Sequence, residues 1–361
     1  MMRQAIRGLV VLGLLTAVVD STVRAQNTPD KVTVRDRKDG SSKTYDGQLR
    51  VSPAGFQVFG GDKFDKAVVT VAPDDILKVV IGDLPGVAPP ALQEVQAKEN
   101  KKDRNRKDLE EARTGYQALS KAAVGQARSK RYLDFKVAIL TSKIVDDLDA
   151  TEGWKEKADD AIKDWGVFFT DYNTGWEMWP AVRASTRLQI ERGKYNDAAR
   201  AWGKLAKSIE PPDAKVEATM QEIDLQIRAK QYPNAGGAAT ELLKTAVGAR
   251  KDRLVIYEIA AKAGGDSKTQ EGIDKIKEEM GKTKDVSVHA TGYSMMAELY
   301  LAADKKRDAM WAFLWVETVL NQDKDEVFKA ISRLADLFEG QMDEDQTRKY
   351  RDNLKRFRAT F

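Results

Sequence analysis

A spacing of 37 residues between small residues is the feature that most constrains the fold of this chain. Counted from Ala198, the interval falls on Ala161, Ala198, Ala235, Gly272 and Ala309. Four positions after each small residue stand Trp165, Trp202, Ala239, Ile276 and Phe313. A small residue followed one turn later by an apolar one lets a neighbouring helix approach closely. A period of this length predicts stacked helical units, with these residues at the packing positions.

Two segments carry the pattern most clearly, Gly193-x-Tyr195-x-x-Ala198 and Lys230-x-Tyr232-x-x-Ala235. They resemble the turn and second helix of the tetratricopeptide repeat (TPR), whose period is about 34 residues. The resemblance covers roughly residues 131–361. It implies a mainly α fold, a TPR-like α-solenoid, and a role in holding other proteins rather than in catalysis.

The apolar periodicity predicts about six helix pairs in residues 131–361. The predicted pairs are 132–148 with 155–169, 181–191 with 196–209, 214–229 with 235–247, 254–263 with 269–280, 293–303 with 307–320, and 327–338 with 345–357. The last helix is polar and basic, which is typical of a helix that caps an array. Its cations also suit contact with an anionic polymer of the cell envelope, and the sequence leaves both interpretations open.

Residues 1–25 are predicted to be a signal peptide, because Arg3 and Arg7 flank a short apolar run at residues 8–19. Twelve apolar residues are too few to span the roughly 30 Å of a bilayer core, so no membrane span is expected in the mature form. We therefore expect a periplasmic or secreted protein. The whole chain has 60 basic and 56 acidic residues, and removal of this segment leaves 57 basic and 55 acidic ones. This near-neutral charge argues against nucleic-acid binding.

Residues 26–83 are predicted to form a small β module, because short alternating runs are separated by Gly and Pro. The predicted strands are 32–34, 45–51, 55–59, 67–71 and 76–81. Five short strands bury their faces best as a closed five-stranded barrel. The turns Lys38-Asp39-Gly40 and Pro73-Asp74-Asp75-Ile76 resemble those of SH3-like or Sm-like barrels.

Residues 84–130 are predicted to be a Pro-rich linker and a charged connecting helix. Three Pro within residues 85–90 suit neither strand nor helix. Residues 91–128 read as one long helix, in which basic and acidic side chains alternate. A solvated helix with internal ion pairs is therefore favoured over a basic patch.

The chain offers little chemistry for catalysis. It has one histidine, His289, and no cysteine, so a Cys-His pair and thiolate metal sites are excluded. We expect no enzymatic activity, no cofactor and no metal. A hydrolase would instead need a carboxylate with a raised pKa in an apolar pocket, which a sequence alone does not reveal.

Five of the seven tryptophans fall within residues 154–202. Trp165 and Trp202 occupy packing positions, whereas Tyr172, Trp176 and Trp179 lie outside the repeat pattern. Exposed aromatic side chains anchor peptides and sugar rings, so these three are the predicted partner-binding residues. The alternative is that they fill a gap beside an atypical first repeat.

Together these features predict an exported, non-enzymatic scaffold that binds a protein or peptide in the groove of a TPR-like array. The alternative function is an envelope glycan-binding or structural module that uses the Trp-rich cluster.

Overall fold

The computed structural model describes residues 28–37, 39–61, 63–148 and 153–358. In these residues a small β region of six strands precedes fourteen α-helices, so the fold is mainly α. The predicted signal peptide at residues 1–25 lies outside the described residues.

The β region forms two antiparallel sheets of three strands, in the orders β2-β1-β6 and β3-β4-β5. The strands are β1 Lys31–Arg35, β2 Ser42–Asp46, β3 Gln48–Ser52, β4 Gly55–Gly60, β5 Lys66–Val71 and β6 Ile76–Val80. A short 3-10 turn, Pro73–Asp75, precedes β6. Val32, Phe56 and Val58 are among the buried side chains of this region.

The predicted closed barrel of five strands is wrong for the described residues, since there are six strands in two open sheets. The run predicted as one strand, 45–51, is divided at Gly47. The amide of Gly47 donates to the carbonyl of Asp30 at 2.8 Å, which takes it out of the ladder. A Cβ at this position would clash with the carbonyl oxygen of Phe59, so a side chain has no room where the chain crosses between the sheets.

The predicted single charged helix is also wrong, because residues 91–128 are interrupted. The structure has α1 Pro89–Glu99 and α2 Arg106–Ala122. Asn105 ends the interruption with a capping box: its side chain accepts from the amide of Asp108 at 3.0 Å, and its own amide donates to the Asp108 carboxylate at 2.9 Å. A reciprocal cap of this kind starts a new helix.

All twelve helices of the six predicted pairs are present. They are α3 Ala127–Asp146, α4 Trp154–Asp171, α5 Met178–Glu191, α6 Tyr195–Ser208, α7 Pro212–Arg228, α8 Tyr232–Leu243, α9 Gly248–Gly265, α10 Thr269–Met280, α11 Val286–Ala302, α12 Lys306–Thr318, α13 Lys324–Gly340 and α14 Glu344–Arg358. The largest differences from the predicted bounds are at the starts of α9 and α11, which begin earlier.

The turns within these pairs repeat with the interval found in the sequence. Gly193, Lys230, Ser267 and Asp304 end α5, α7, α9 and α11, are 37 residues apart, and have φ of 67°, 59°, 57° and 56°. Met342 ends α13 in the same left-handed conformation, one residue beyond the position that the 37-residue interval gives. In all five turns the amide of the next residue donates to the carbonyl five residues earlier, at 2.8 to 3.2 Å. This bond pattern and a left-handed residue define the Schellman end of a helix.

The β region and the helices share a continuous hydrophobic core. The cluster that contains Val32 of β1 extends through Tyr132 of α3 to Trp165 of α4. Polar contacts join the same elements, since Arg128 binds Asp30 at 2.6 Å. The predicted linker at residues 84–130 is therefore a boundary between sequence patterns, and whether the parts fold independently stays a prediction.

The two ends of the helical region meet. Arg183 of α5 binds Asp325 of α13 at 2.8 Å. Arg358 at the end of α14 donates to Glu191 of α5 at 2.9 Å and lies over the ring of Trp154, 4.9 Å from its centroid. Arg358 of the basic tail is thus held inside the fold by an ion pair, and α14 covers the start of the array.

Candidate functional site

The three residues predicted to bind a partner take part in the packing of the chain. The hydroxyl of Tyr172 donates to Asp134 at 2.8 Å, and its ring lies 4.9 Å from that of Phe168. Trp176 is half-buried and meets the ring of Phe135 edge-on at 5.5 Å. Both side chains therefore pack against α3 or α4.

Trp179 is 3% exposed, so it is not a surface anchor in this structure. Its ring packs edge-on against Trp202 at 5.2 Å. Its indole N–H donates to Oδ1 of Asp74 at 2.9 Å, and Arg183 donates to the same oxygen at 2.9 Å. Trp179 therefore binds the β region of its own chain, through the turn at Pro73–Asp75.

The predicted packing positions are all buried. They are Ala161, Trp165, Ala198, Trp202, Ala235, Gly272, Ala309 and Phe313. Gly272 shows how tight the contacts are, because a Cβ there would clash with the Cβ of Ala263 in α9. Small residues at this position therefore let the two helices of a pair approach each other.

The first helices of the pairs contact one another and form what we call the inner side of the array. Helix α9 contacts α7 and α11, and α13 contacts α5 and α11. A TPR-like groove is expected on this side, because the first helix of each pair lines it.

A buried ion-pair network joins three of these first helices, α7, α11 and α13. Arg228 of α7, which has no exposed side-chain surface, binds Asp224 at 3.0 Å, Glu298 of α11 at 3.1 Å and Glu326 of α13 at 3.1 Å. Lys329 binds Asp224 at 2.7 Å and Glu326 at 3.3 Å.

Arg333 of α13 completes the network by binding Glu298 at 2.8 Å. Three acidic and three basic side chains therefore balance one another. A buried charge is tolerated when it is paired in this way.

The pKa directions of Asp224 and Lys329 favour their charged forms. Burial alone would raise the pKa of Asp224, but the charges of Arg228 and Lys329 outweigh it and hold the pKa below its ordinary value. Burial would lower the pKa of Lys329, but Asp224 and Glu326 raise it. Asp224 and Lys329 are therefore both charged at neutral pH.

Aromatic side chains are exposed on α12, a second helix. Trp311 is 64% exposed and Trp315 is 46% exposed, and Val319 follows one turn later. Tyr293 of α11 stacks on Trp315 at 5.7 Å with an angle of 26° between the rings. Asp308, Trp311, Trp315 and Val319 constitute what we call the outer face of α12.

The other second helices do not carry aromatic residues at these positions. Steps of 37 residues from Trp311 give Lys163, Arg200, Gly237 and Asp274, and steps from Trp315 give Val167, Lys204, Glu241 and Glu278. Packing of the array therefore does not require tryptophan there. The same comparison of positions 37 residues apart could have identified Trp311 and Trp315 from the sequence. The higher density of tryptophan at residues 154–202 drew the prediction there instead.

A small cavity and a shallow depression lie on the described part of the chain. One of about 30 Å³ lies between Trp154 of α4 and Arg358 of α14 and has room for little more than water. The other is a shallow depression on α1 and α2, beside Lys98 and Gly115. Burial, and then the charge of Glu326, raises the pKa of Asp323 to about 6, but this carboxylate caps α13 and lines neither.

Among the described residues no group of three His, Asp or Glu side chains is arranged to hold a metal ion. His289 contacts the carbonyl of Thr283 at 2.9 Å. None of the described helices is long and apolar enough to cross a membrane.

No protein-family model matches the chain, and no curated protein matches it at a significant level. Function is therefore inferred from the geometry of the chain itself.

Proposed function

We propose that the mature chain is an exported, non-enzymatic scaffold that binds another protein. In this proposal residues 131–361 are a TPR-like α-solenoid of six helix pairs. The Schellman turns at intervals of 37 residues support it, because they repeat one local structure at the period of the packing residues.

The observation that carries the binding role is the exposure of Trp311 and Trp315 beside each other on α12. Exposed apolar patches on soluble proteins mark interaction sites, and Trp is enriched among the residues that dominate binding energy. We propose the outer face of α12 rather than the inner groove as the binding surface, because the buried side chain of Arg228 joins α7 to α11 and α13 on the inner side.

Binding of an envelope glycan is the second candidate function. It is favoured by the flat, exposed indole rings, which also suit stacking on sugars. The Trp-rich cluster at residues 154–202 supports it less, since Trp165, Trp179 and Trp202 are buried. Both candidates therefore use Trp311 and Trp315 and differ in the chemical class of the ligand.

The proposal is tested by affinity capture from an envelope extract with the chain that begins at Gln26. The double variant Trp311→Ser with Trp315→Ser removes the aromatic rings. Its matched control is Arg200→Ser with Lys204→Ser, which changes the same two positions in α6.

We expect specific proteins to be captured by the wild type and the control and lost with the Trp variant. If the Trp variant still captures the same proteins, they bind elsewhere on the chain and the proposal is contradicted. Retention on polysaccharide without a captured protein would favour the glycan function.

A further inference from the structure

A buried carboxylate, that of Glu99 at the end of α1, is the centre of a cluster of cations. The hydroxyl of Tyr116 donates to Oε2 of Glu99 at 2.7 Å, and Lys136 of α3 forms an ion pair with Oε1. Arg104, in the loop after α1, donates from Nη1 to the backbone carbonyl of Glu99 at 3.3 Å. Lys136 therefore neutralises the carboxylate, whereas Arg104 is held by a group without charge.

A second lysine of α3, Lys143, faces the same side of the bundle. It follows Lys136 by seven residues, so the two side chains lie within about 20° of each other around the helix. Because Lys136 reaches Glu99 of α1, the side chain of Lys143 also points towards α1.

Two contacts of α2 give the level of Lys143 along the bundle. Short connections join α2 to α1 and α3, so α2 runs antiparallel to both. Arg113 of α2 donates to Thr141 of α3 at 2.8 Å. Glu111 lies two residues earlier in α2 and binds Lys98 of α1 at 3.2 Å. Lys143, two residues after Thr141, is therefore level with Glu111 and with the last turn of α1.

Lys143 and Arg104 lack a counterion in the described part of the chain. Neither has a carboxylate within ion-pair distance, since that of Glu99 is occupied by another lysine. Asp103, beside Arg104 in the loop, and Asp147, one turn after Lys143, are exposed and bind neither cation. Arg104 is exposed and Lys143 is half-buried, so solvent reaches both. Two positive charges therefore remain open to a ligand.

The electrostatics of Lys143 agree with this excess of positive charge. Burial lowers the pKa of Lys143, and the charges of Lys136 and Arg104 lower it further, although the charge of Glu99 raises it. Lys102, in the same loop as Arg104, is exposed and adds another cation. An anion at this place would offset the repulsion among these groups.

From this arrangement we infer that Arg104 and Lys143 bind a phosphate group, either as inorganic phosphate or as a monoester. Two cations without a counterion are balanced by a dianion, and a phosphate monoester carries roughly −1.5 to −2 at pH 7. The planar guanidinium of Arg104 suits two phosphate oxygens at once, and Lys143 supplies a point charge. The site shares no residue with the outer face of α12, so it goes beyond the proposed scaffold function.

The test is isothermal titration calorimetry with the chain that begins at Gln26, at low salt and about pH 8, where phosphate is mostly a dianion. The probes are inorganic phosphate and glycerol 3-phosphate. The variants are Arg104→Gln with Lys143→Gln, Arg104→Gln alone, and the control Lys204→Gln with Lys207→Gln, which removes two exposed cations of α6. Circular dichroism checks the helix content of each. Arg104 is exposed, so the single variant provides a test that does not depend on the half-buried position.

We expect one phosphate to bind per chain. Affinity should fall about tenfold or more in the double variant and several-fold in the single variant, and the control should bind like the wild type. Sulfate, a dianion, should compete with phosphate, whereas acetate, a monoanion, should compete poorly. Binding of glycerol 3-phosphate as well would identify a monoester as the ligand class, and binding of inorganic phosphate alone would identify the free ion.

The inference is overturned if the wild type does not bind phosphate, or if the single and double variants bind it as tightly as the wild type. It is also overturned if acetate competes as well as sulfate, since the site would then match a single negative charge. None of these outcomes involves the tryptophans of α12, so each would leave the proposed function standing.

Discussion

Arg228 of α7 and Glu326 of α13 form an ion pair of 3.1 Å in which both side chains are shielded from solvent, although 98 residues separate them. The contact joins two first helices that belong to different pairs. It is continued by Arg183 and Asp325, which join α5 to α13. Ion pairs therefore join first helices that are distant in the chain.

The ion-pair network is predicted to be essential for stability. Arg228→Met leaves Asp224, Glu298 and Glu326 with fewer partners in a buried site, so we expect the free energy of unfolding to fall by about 3–5 kcal/mol. Urea unfolding followed by circular dichroism measures this. Arg200→Met, at an exposed position, serves as the control. A loss below about 1 kcal/mol would show that solvent reaches the network.

The Schellman turns are predicted to respond to glycine. Asp304 and Lys230 adopt a left-handed conformation that costs other residues roughly 1 kcal/mol relative to glycine. Asp304→Gly and Lys230→Gly should therefore leave stability unchanged or raise it by up to about 1 kcal/mol, whereas Gly193→Ala should lower it by a similar amount. Thermal unfolding distinguishes these outcomes. Destabilisation by both glycine variants would contradict the assignment of these turns.

A pH effect is predicted at Asp323, the cap of α13. Burial, and then the charge of Glu326, raises its pKa from 3.8 to about 6, so the folded state binds this proton more tightly than the unfolded state. Protonated Asp323 therefore stabilises the folded protein fully below the unfolded-state pKa of 3.8, and this stabilisation is lost as the pH rises through about 6.

Asp323→Asn keeps a capping side chain and removes the charge. The free energy of unfolding of this variant, relative to that of the wild type, should therefore increase by roughly 1–2 kcal/mol between about pH 4 and pH 7. Urea unfolding of both proteins across this range measures the difference. A difference that does not depend on pH would mean that Asp323 titrates normally.

The interface between α5 and the β region is predicted to depend on Trp179. Trp179→Ala should cost roughly 3–5 kcal/mol, because it removes a buried ring. Trp179→Phe keeps most of the ring and loses the hydrogen bond to Asp74, for an expected cost of about 1–3 kcal/mol. Equal losses for the two variants in urea unfolding would show that ring volume is unimportant there.

Local and periodic features could be predicted from the sequence, because the same spacing of small and apolar residues recurs every 37 residues. The small residues from Ala161 to Ala309 are buried, and the helices around them begin and end near their predicted bounds. The cap at Asn105 has a recognisable sequence, yet the charge pattern of residues 91–128 obscured it. The split at Gly47 depends on close approach to Phe59, which is a tertiary contact.

Contacts between distant parts of the chain could not be predicted. Whether Trp179 faces solvent depends on Asp74, which is 105 residues away. Whether the inner groove is open depends on the pairing of α7 with α13. Trp311 was detectable in principle, because its counterparts one and three repeats earlier are Asp274 and Arg200.

The most direct test of the central claim is site-specific photo-crosslinking in the source cell. A benzophenone amino acid replaces Thr318, which is exposed on α12 one turn after Trp315, so both tryptophans are kept. The control replaces Lys207, the corresponding exposed residue of α6. A partner on the outer face of α12 predicts a discrete protein adduct from position 318 and none from position 207. No adduct at position 318, or the same adducts from both positions, would contradict the account.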